Sequence, residues 1–143
     1  MDNFIYLIGS LRHDRVAIVA NELREQGFEV FDDWHAGGKI ADDEWARYEK
    51  RRGHTYREAL EGKAAMNAFM FDYNHLLMAK AGVLVYPAGK SAHLELGWLL
   101  GRGKPGFILL DGEPERYELM VKFATAVCYN VEELVTELKK AGL

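Results

Sequence analysis

Short apolar runs alternate along the chain with segments of helical periodicity. Phe4-Ile5-Tyr6-Leu7-Ile8 ends at Gly9-Ser10 and predicts a buried strand closed by a turn. Val16, Val19, Ala20 and Leu23 recur at helical spacing within residues 14–26, and Gly27 follows as a helix stop. Residues 28–31 read as a second strand that exits through Asp32-Asp33-Trp34-His35 into the loop Ala36-Gly37-Gly38. Residues 42–52 predict a polar, exposed helix, and residues 56–79 a long or broken helix with Gly62 near its front. A third strand at 83–86 stops at Pro87, and the helix that carries Glu95 runs to about Gly101. A fourth strand at 106–110 leads into the turn Asp111-Gly112-Glu113-Pro114. A short helix near 115–122, a fifth strand near 125–129 and a last helix at 131–141 complete the pattern. Asn130 suits the N-cap of that last helix, and Glu132 and Glu133 suit its first turn.

Apolar strands without period-two alternation, each followed by a helix, imply a parallel sheet covered on both faces. Five such strands fit an α/β, flavodoxin-like, doubly wound sheet of order 2-1-3-4-5, mainly parallel, with helices on both faces. Ligands of such sheets bind beyond the carboxyl ends of the strands where the order reverses. Here that crevice falls between Gly9-Ser10-Leu11-Arg12 and the segment from Pro87 to Glu95. The 143 residues fit one domain, 1–143, and no repeat or linker divides them.

The net charge of −4 argues against a nucleic-acid-binding surface. The basic stretch Arg47, Lys50, Arg51, Arg52 and Arg57 is diluted by Glu44, Glu49 and Glu58 and reads as a solvated helix face. Cys128 alone excludes an internal disulfide and a thiolate metal cluster, and it reads as a buried structural thiol. The five histidines show no metal-ligand spacing, so no metal is expected. No signal peptide and no apolar run of the ~20 residues that span a bilayer is recognisable. The expected location is the cytoplasm, away from membranes.

Two carboxylates stand out. Glu95 falls in the first turn of a helix that is otherwise apolar, among Leu94, Leu96, Trp98, Leu99 and Leu100. The helix macrodipole there favours an ionised carboxylate, a candidate nucleophile. Asp72 falls on the stripe Ala65, Phe69, Asp72, Leu76 and Ala79. Burial would favour its neutral form, which can donate to a leaving group; otherwise it reaches solvent at the stripe's edge or forms a structural ion pair. An ionised Glu95 beside a neutral Asp72 is the division of labour that retaining glycosyl chemistry needs. Tyr6 is placed to orient Glu95, or is a core aromatic whose hydroxyl found a partner. Gly9, Ser10 and Arg12 offer backbone N–H groups, a hydroxyl and a guanidinium for an anion, and Lys90 and Ser91 can complete it. The plainer readings are a capped turn with a surface Arg and, for Ser91, a helix N-cap. Trp34 and His35 either wall a nucleobase or simply pack.

Taken together, Tyr6-Leu7-Ile8-Gly9-Ser10, Asp72, the segment Pro87-Ala88-Gly89-Lys90-Ser91-Ala92-His93-Leu94-Glu95-Leu96-Gly97 and Lys104-Pro105 resemble the nucleoside 2-deoxyribosyltransferase family, including its nucleoside-monophosphate N-glycosidase branch. The similarity runs from residue 4 to about 110. It implies a flavodoxin-like fold without metal or organic cofactor. It implies attack by Glu95 at C1′ of a (deoxy)ribosyl group, release of a base, and resolution by water or a second base. It also implies a homodimer or higher homo-oligomer in which a neighbouring subunit completes the pocket. The Gly-Ser-Leu-Arg turn is closer to the monophosphate branch, which would assign Ser10, Arg12 and Ser91 to a 5′-phosphate. Three features depart from the pattern. Lys80 stands where many members carry an Asp. Gly89, within the expected substrate-binding set, stands where free-nucleoside transferases often carry another. The stretch from Trp34 to Gly62 has no counterpart. Lys80 and Gly89 leave a second reading, a non-catalytic nucleotide sensor on the same fold.

Overall fold

The computed structural model describes residues 4–143. Its centre is a sheet of five strands, β1 (Phe4–Ile8), β2 (Glu29–Phe31), β3 (Ala81–Val85), β4 (Gly106–Leu109) and β5 (Ala126–Cys128). All pairings are parallel and the order is β2-β1-β3-β4-β5, as the apolar runs predict. Ile5 pairs with Ala81, Leu7 with Val83 and Leu84 with Ile108. The order reverses between β1 and β3, so their carboxyl ends open the crevice expected of a doubly wound sheet.

Six helices connect the strands: α1 (Arg15–Glu25), α2 (Ala41–Arg51), α3 (Tyr56–Leu60), α4 (Lys63–Met78), α5 (Lys90–Gly101) and α6 (Val131–Lys140). Ile5, Leu7, Val83, Val85, Phe107 and Leu109 face α1 and α6, where Val16, Leu23, Leu134 and Leu138 close the core. Tyr6, Ile8, Leu84 and Ile108 face the other way, toward Leu76 of α4 and Leu96 and Leu99 of α5. Both faces of each central strand are covered, which is why the strands read as continuous apolar runs rather than alternating ones. Asn130 Oδ1 accepts from the Glu133 backbone N–H at 2.8 Å and caps α6. Cys128 is buried, and desolvation pushes its thiol up to about 11.

Two glycines set the position of α5. A methyl group on Gly82 would collide with the Leu99 side chain, and one on Gly106 would lie 2.7 Å from Leu96 Cδ1. Without these side chains α5 lies close on β3 and β4, and the loop before it can deliver Glu95 over the end of β1.

The structure decides one open expectation and revises two. Of the two forms read for 56–79 it takes the broken one, interrupted at Gly62, whose φ of −81° and ψ of 169° make it the N-cap of α4. A capping box between Thr55 and Glu58 starts α3 separately. The stripe through Asp72 is buried only toward its end: Leu76 and Ala79 are covered, but Phe69 is 59% exposed. Finally, residues 115–118 are irregular and a single 3₁₀ turn, Leu119–Phe123, stands in place of the expected helix. No side chain of that turn is fully buried, so no packed face sustains a longer helix. The polar helix α2 also buries one charge. Glu49, 3% exposed, sits 3.6 Å from Arg52 and 3.5 Å from His54.

Candidate active site

At the carboxyl edge of β1 and β3 a mainly polar cavity of about 310 Å³ brings together Tyr6, Gly9, Ser10, Arg12, Asp72, Gly89, Ser91 and Glu95. Each arrives by a different local route. Tyr6 is the middle residue of β1, packed against Phe31 with ring centroids 5.1 Å apart. Its hydroxyl donates to the Glu95 carboxylate. Gly9 ends the strand where a methyl group would lie 2.7 Å from Val16 Cγ2, so glycine lets the turn close onto α1. Ser10 Oγ accepts from the Arg12 backbone N–H at 3.1 Å and shapes that turn. Asp72 projects from the middle of α4, and Ser91 and Glu95 come from α5.

The two carboxylates feel each other and their burial. Desolvation raises the Glu95 carboxyl to about 7; the Tyr6 hydrogen bond opposes that rise and the Asp72 charge adds to it. Desolvation likewise raises Asp72 to about 6, with His75 pulling the other way. Burial, followed by the two nearby acids, raises the Tyr6 hydroxyl, so it stays a donor across the ordinary pH range. This ordering differs from the expectation that the helix dipole keeps Glu95 ionised while Asp72 alone is neutral. Glu95 is the sixth residue of α5, beyond the first turn where the dipole acts, and desolvation decides its charge. Ser91 is not the N-cap of α5 either; Gly89 holds that place and no side chain caps the helix.

Several lining residues carry no signal readable in the sequence. Lys39 and Asp42, from the 34–62 stretch, reach the cavity wall. That stretch is tied to the β1–α1 turn by three contacts: Arg12 to Asp43 at 3.6 Å, Lys39 to Asp14 at 3.4 Å, and His35 Nε2 donating to the His13 carbonyl at 3.0 Å. Trp34 also lines the cavity, its indole N–H fixed on the Leu7 carbonyl at 2.8 Å. Below the site, the Arg15 guanidinium donates to the Tyr86 and Leu110 carbonyls at 2.6 and 2.9 Å and ties together the chain leaving β3 and β4.

His93 lies elsewhere. It faces a larger, apolar cavity of about 830 Å³ between α5 and the 3₁₀ turn, with Leu96, Leu100 and Phe123, which holds neither Asp72 nor Glu95. The candidate site is marked by its grouping of polar and ionisable side chains rather than by its volume. Among the described residues, no three His, Cys, Asp or Glu side chains group as metal ligands, and no helix is long and apolar enough to cross a membrane.

No protein-family model and no curated protein matches the chain. Two solved structures share its fold along nearly their whole length. The CMP N-glycosidase BcmB of Clostridium botulinum superposes with a TM-score of 0.54 at 17% identity, over 98% of this chain and 99% of the other. A conserved protein of Enterococcus faecalis V583 superposes with a TM-score of 0.64 at 12% identity, over 98% and 99%. At these identities the likeness is one of fold, and function has to be argued from the site.

Proposed function

We propose that the protein cleaves or exchanges the N-glycosidic bond of a nucleoside or its 5′-monophosphate through a covalent glycosyl-enzyme on Glu95. The observation that carries this reading is the meeting of Asp72 and Glu95, from separate helices, with the Tyr6 hydroxyl in one polar cavity. The CMP N-glycosidase activity named for one structural neighbour supports the choice of bond.

In the proposed cycle the ionised Glu95 carboxylate attacks C1′. The C1′–N bond breaks, and its electron pair leaves with the base. Asp72 supplies the proton that the departing base needs, directly or through water, from the minor singly protonated form in which Glu95 is ionised and the proton sits on Asp72. Tyr6 keeps donating to Glu95 and orients the attacking oxygen. Water then attacks C1′ as the C1′–O bond to Glu95 breaks and its electron pair returns to the carboxylate, with Asp72 taking the water's proton; in exchange a second base attacks C1′ in place of water. Ser10, Arg12, Gly89 and Ser91 hold the sugar's 5′ end, and the Arg12 guanidinium favours a phosphate there. No metal or organic cofactor enters these steps.

We also infer self-association as a homodimer or higher homo-oligomer. Its support is the apolar surface left open on α4 and α5, where Met66, Phe69 and Leu94 are 51%, 59% and 75% exposed.

One observation favours the sensor reading: a Glu95 that is protonated near neutrality is a weak nucleophile. Incubation with ribo- and deoxyribonucleosides and their 5′-monophosphates, with and without an acceptor base, separates the two. Free base from the monophosphate alone marks a hydrolase, and base exchange that needs an acceptor marks a transferase. Saturable binding with no base released would leave the sensor.

A further inference from the structure

The stretch from Trp34 to Gly62 closes one wall of the cavity, and its side chains differ in what they are free to do. Lys39 is engaged by Asp14, and Asp43 by Arg12. Among the described residues Asp42 has no hydrogen bond or ion pair, yet it lines the cavity. It is the second residue of α2. Its carboxylate accepts hydrogen bonds and repels a phosphate, so the part of a ligand it can hold is a donor.

Resting on the proposed nucleotide chemistry, we infer that Asp42 reads the base and selects one that carries an exocyclic amino group. The cavity's parts are otherwise spoken for. The acids and Tyr6 take the sugar's C1′, and Ser10, Arg12 and Ser91 take its 5′ end. The indole of Trp34, locked on the Leu7 carbonyl, lines the same cavity and offers a rigid face for a ring. A base lying on that face turns an edge toward α2. Cytosine and adenine present an NH₂ group there, whereas uracil and hypoxanthine present a carbonyl oxygen that the carboxylate repels. Asp42 is a specificity residue on this account and takes no part in bond cleavage.

Calorimetric dissociation constants for CMP against UMP and AMP against IMP test this without relying on turnover. The wild type should bind the amino-bearing member about 10- to 100-fold more tightly, the range of a hydrogen bond to a charged group. Asp42→Ala should bring both ratios close to one, and Asp42→Asn, whose amide can also donate, should favour UMP and IMP more than Asp42→Ala does. Asp42 is exposed, so unchanged thermal unfolding serves as the check on folding. Wild-type ratios near one, or ratios unchanged in Asp42→Ala, would overturn the inference. So would a change confined to CMP against dCMP, which would move Asp42 to the sugar. Base release in the same samples reports separately on the glycosidase reading: release with no base preference sinks the inference alone, preference without release sinks the chemistry alone, and no binding by any nucleotide sinks both.

Discussion

The Tyr6 hydroxyl, in the middle of the first strand, donates to the Glu95 carboxylate on the helix after the third. That bond lowers the Glu95 pKa against the rise caused by burial and by Asp72. Removing it in Tyr6→Phe should push the pKa further up. For wild type, kcat/KM should be bell-shaped with limbs near 6 and 7, because turnover needs Glu95 ionised and Asp72 protonated. In Tyr6→Phe the upper limb should move to higher pH and the maximum should fall about 10- to 100-fold. An unmoved limb would separate Tyr6 from Glu95.

The same burial has a consequence for stability. The folded-state pKa of Glu95 is raised from 4.5 to about 7 and that of Asp72 from 3.8 to about 6. Between the unfolded and folded values the native protein binds more protons, so stability falls as pH rises through about 4 to 7. Glu95→Gln should therefore stabilise the protein by about 1–3 kcal/mol at pH 8, and most of that gain should vanish by pH 5. Thermal unfolding at the two pH values checks it. An equal effect at both would mean that Glu95 is not held in a desolvated site.

Gly82 offers a test of how Glu95 is placed. A methyl there meets Leu99 of α5, with no room on that side of β3. Gly82→Ala should destabilise by about 1–3 kcal/mol and also lower kcat by displacing α5. Denaturant titration alongside initial rates distinguishes this from simple loss of folded protein, since the rate per folded molecule should fall too.

The strand order and the crevice were legible because apolar runs followed by glycine or proline turns leave few ways to build a sheet. Tyr6, Asp72 and Glu95 were legible as unusual polar residues within apolar surroundings. Their protonation was not, because the position of Glu95 beyond the first turn of α5 and the depth of its burial depend on α5 resting on Gly82 and Gly106. The exposure of Phe69 was hidden for a related reason. Helical spacing marks a stripe but not how far the sheet extends beneath it, and the front of α4 packs on α3. Lys39 and Asp42 were illegible because they reach the cavity only once α2 folds back on the β1–α1 turn, through exposed ion pairs that leave no period in the sequence.

The anion cradle predicts a split between substrates. Arg12→Ala should raise KM for a 5′-monophosphate about 10- to 100-fold, the scale of a charge-assisted hydrogen bond, and change that for the matching nucleoside far less. Paired kinetics on a nucleotide and its nucleoside decide it. An equal effect on both would place Arg12 in the Asp43 contact alone.

Self-association should follow the exposed face of α4. Phe69→Glu puts a charge into that surface and should shift the protein to monomer in light-scattering chromatography, while leaving the monomer folded. A wild type that is monomeric at all concentrations would remove this element.

The central claim is that Glu95 attacks the anomeric carbon, and the rate of free-base release by Glu95→Ala relative to wild type tests it most directly. With the same monophosphate and with folding verified, the substitution should reduce the rate by about 1,000-fold or more. Base release by Glu95→Ala at the wild-type rate would contradict the account.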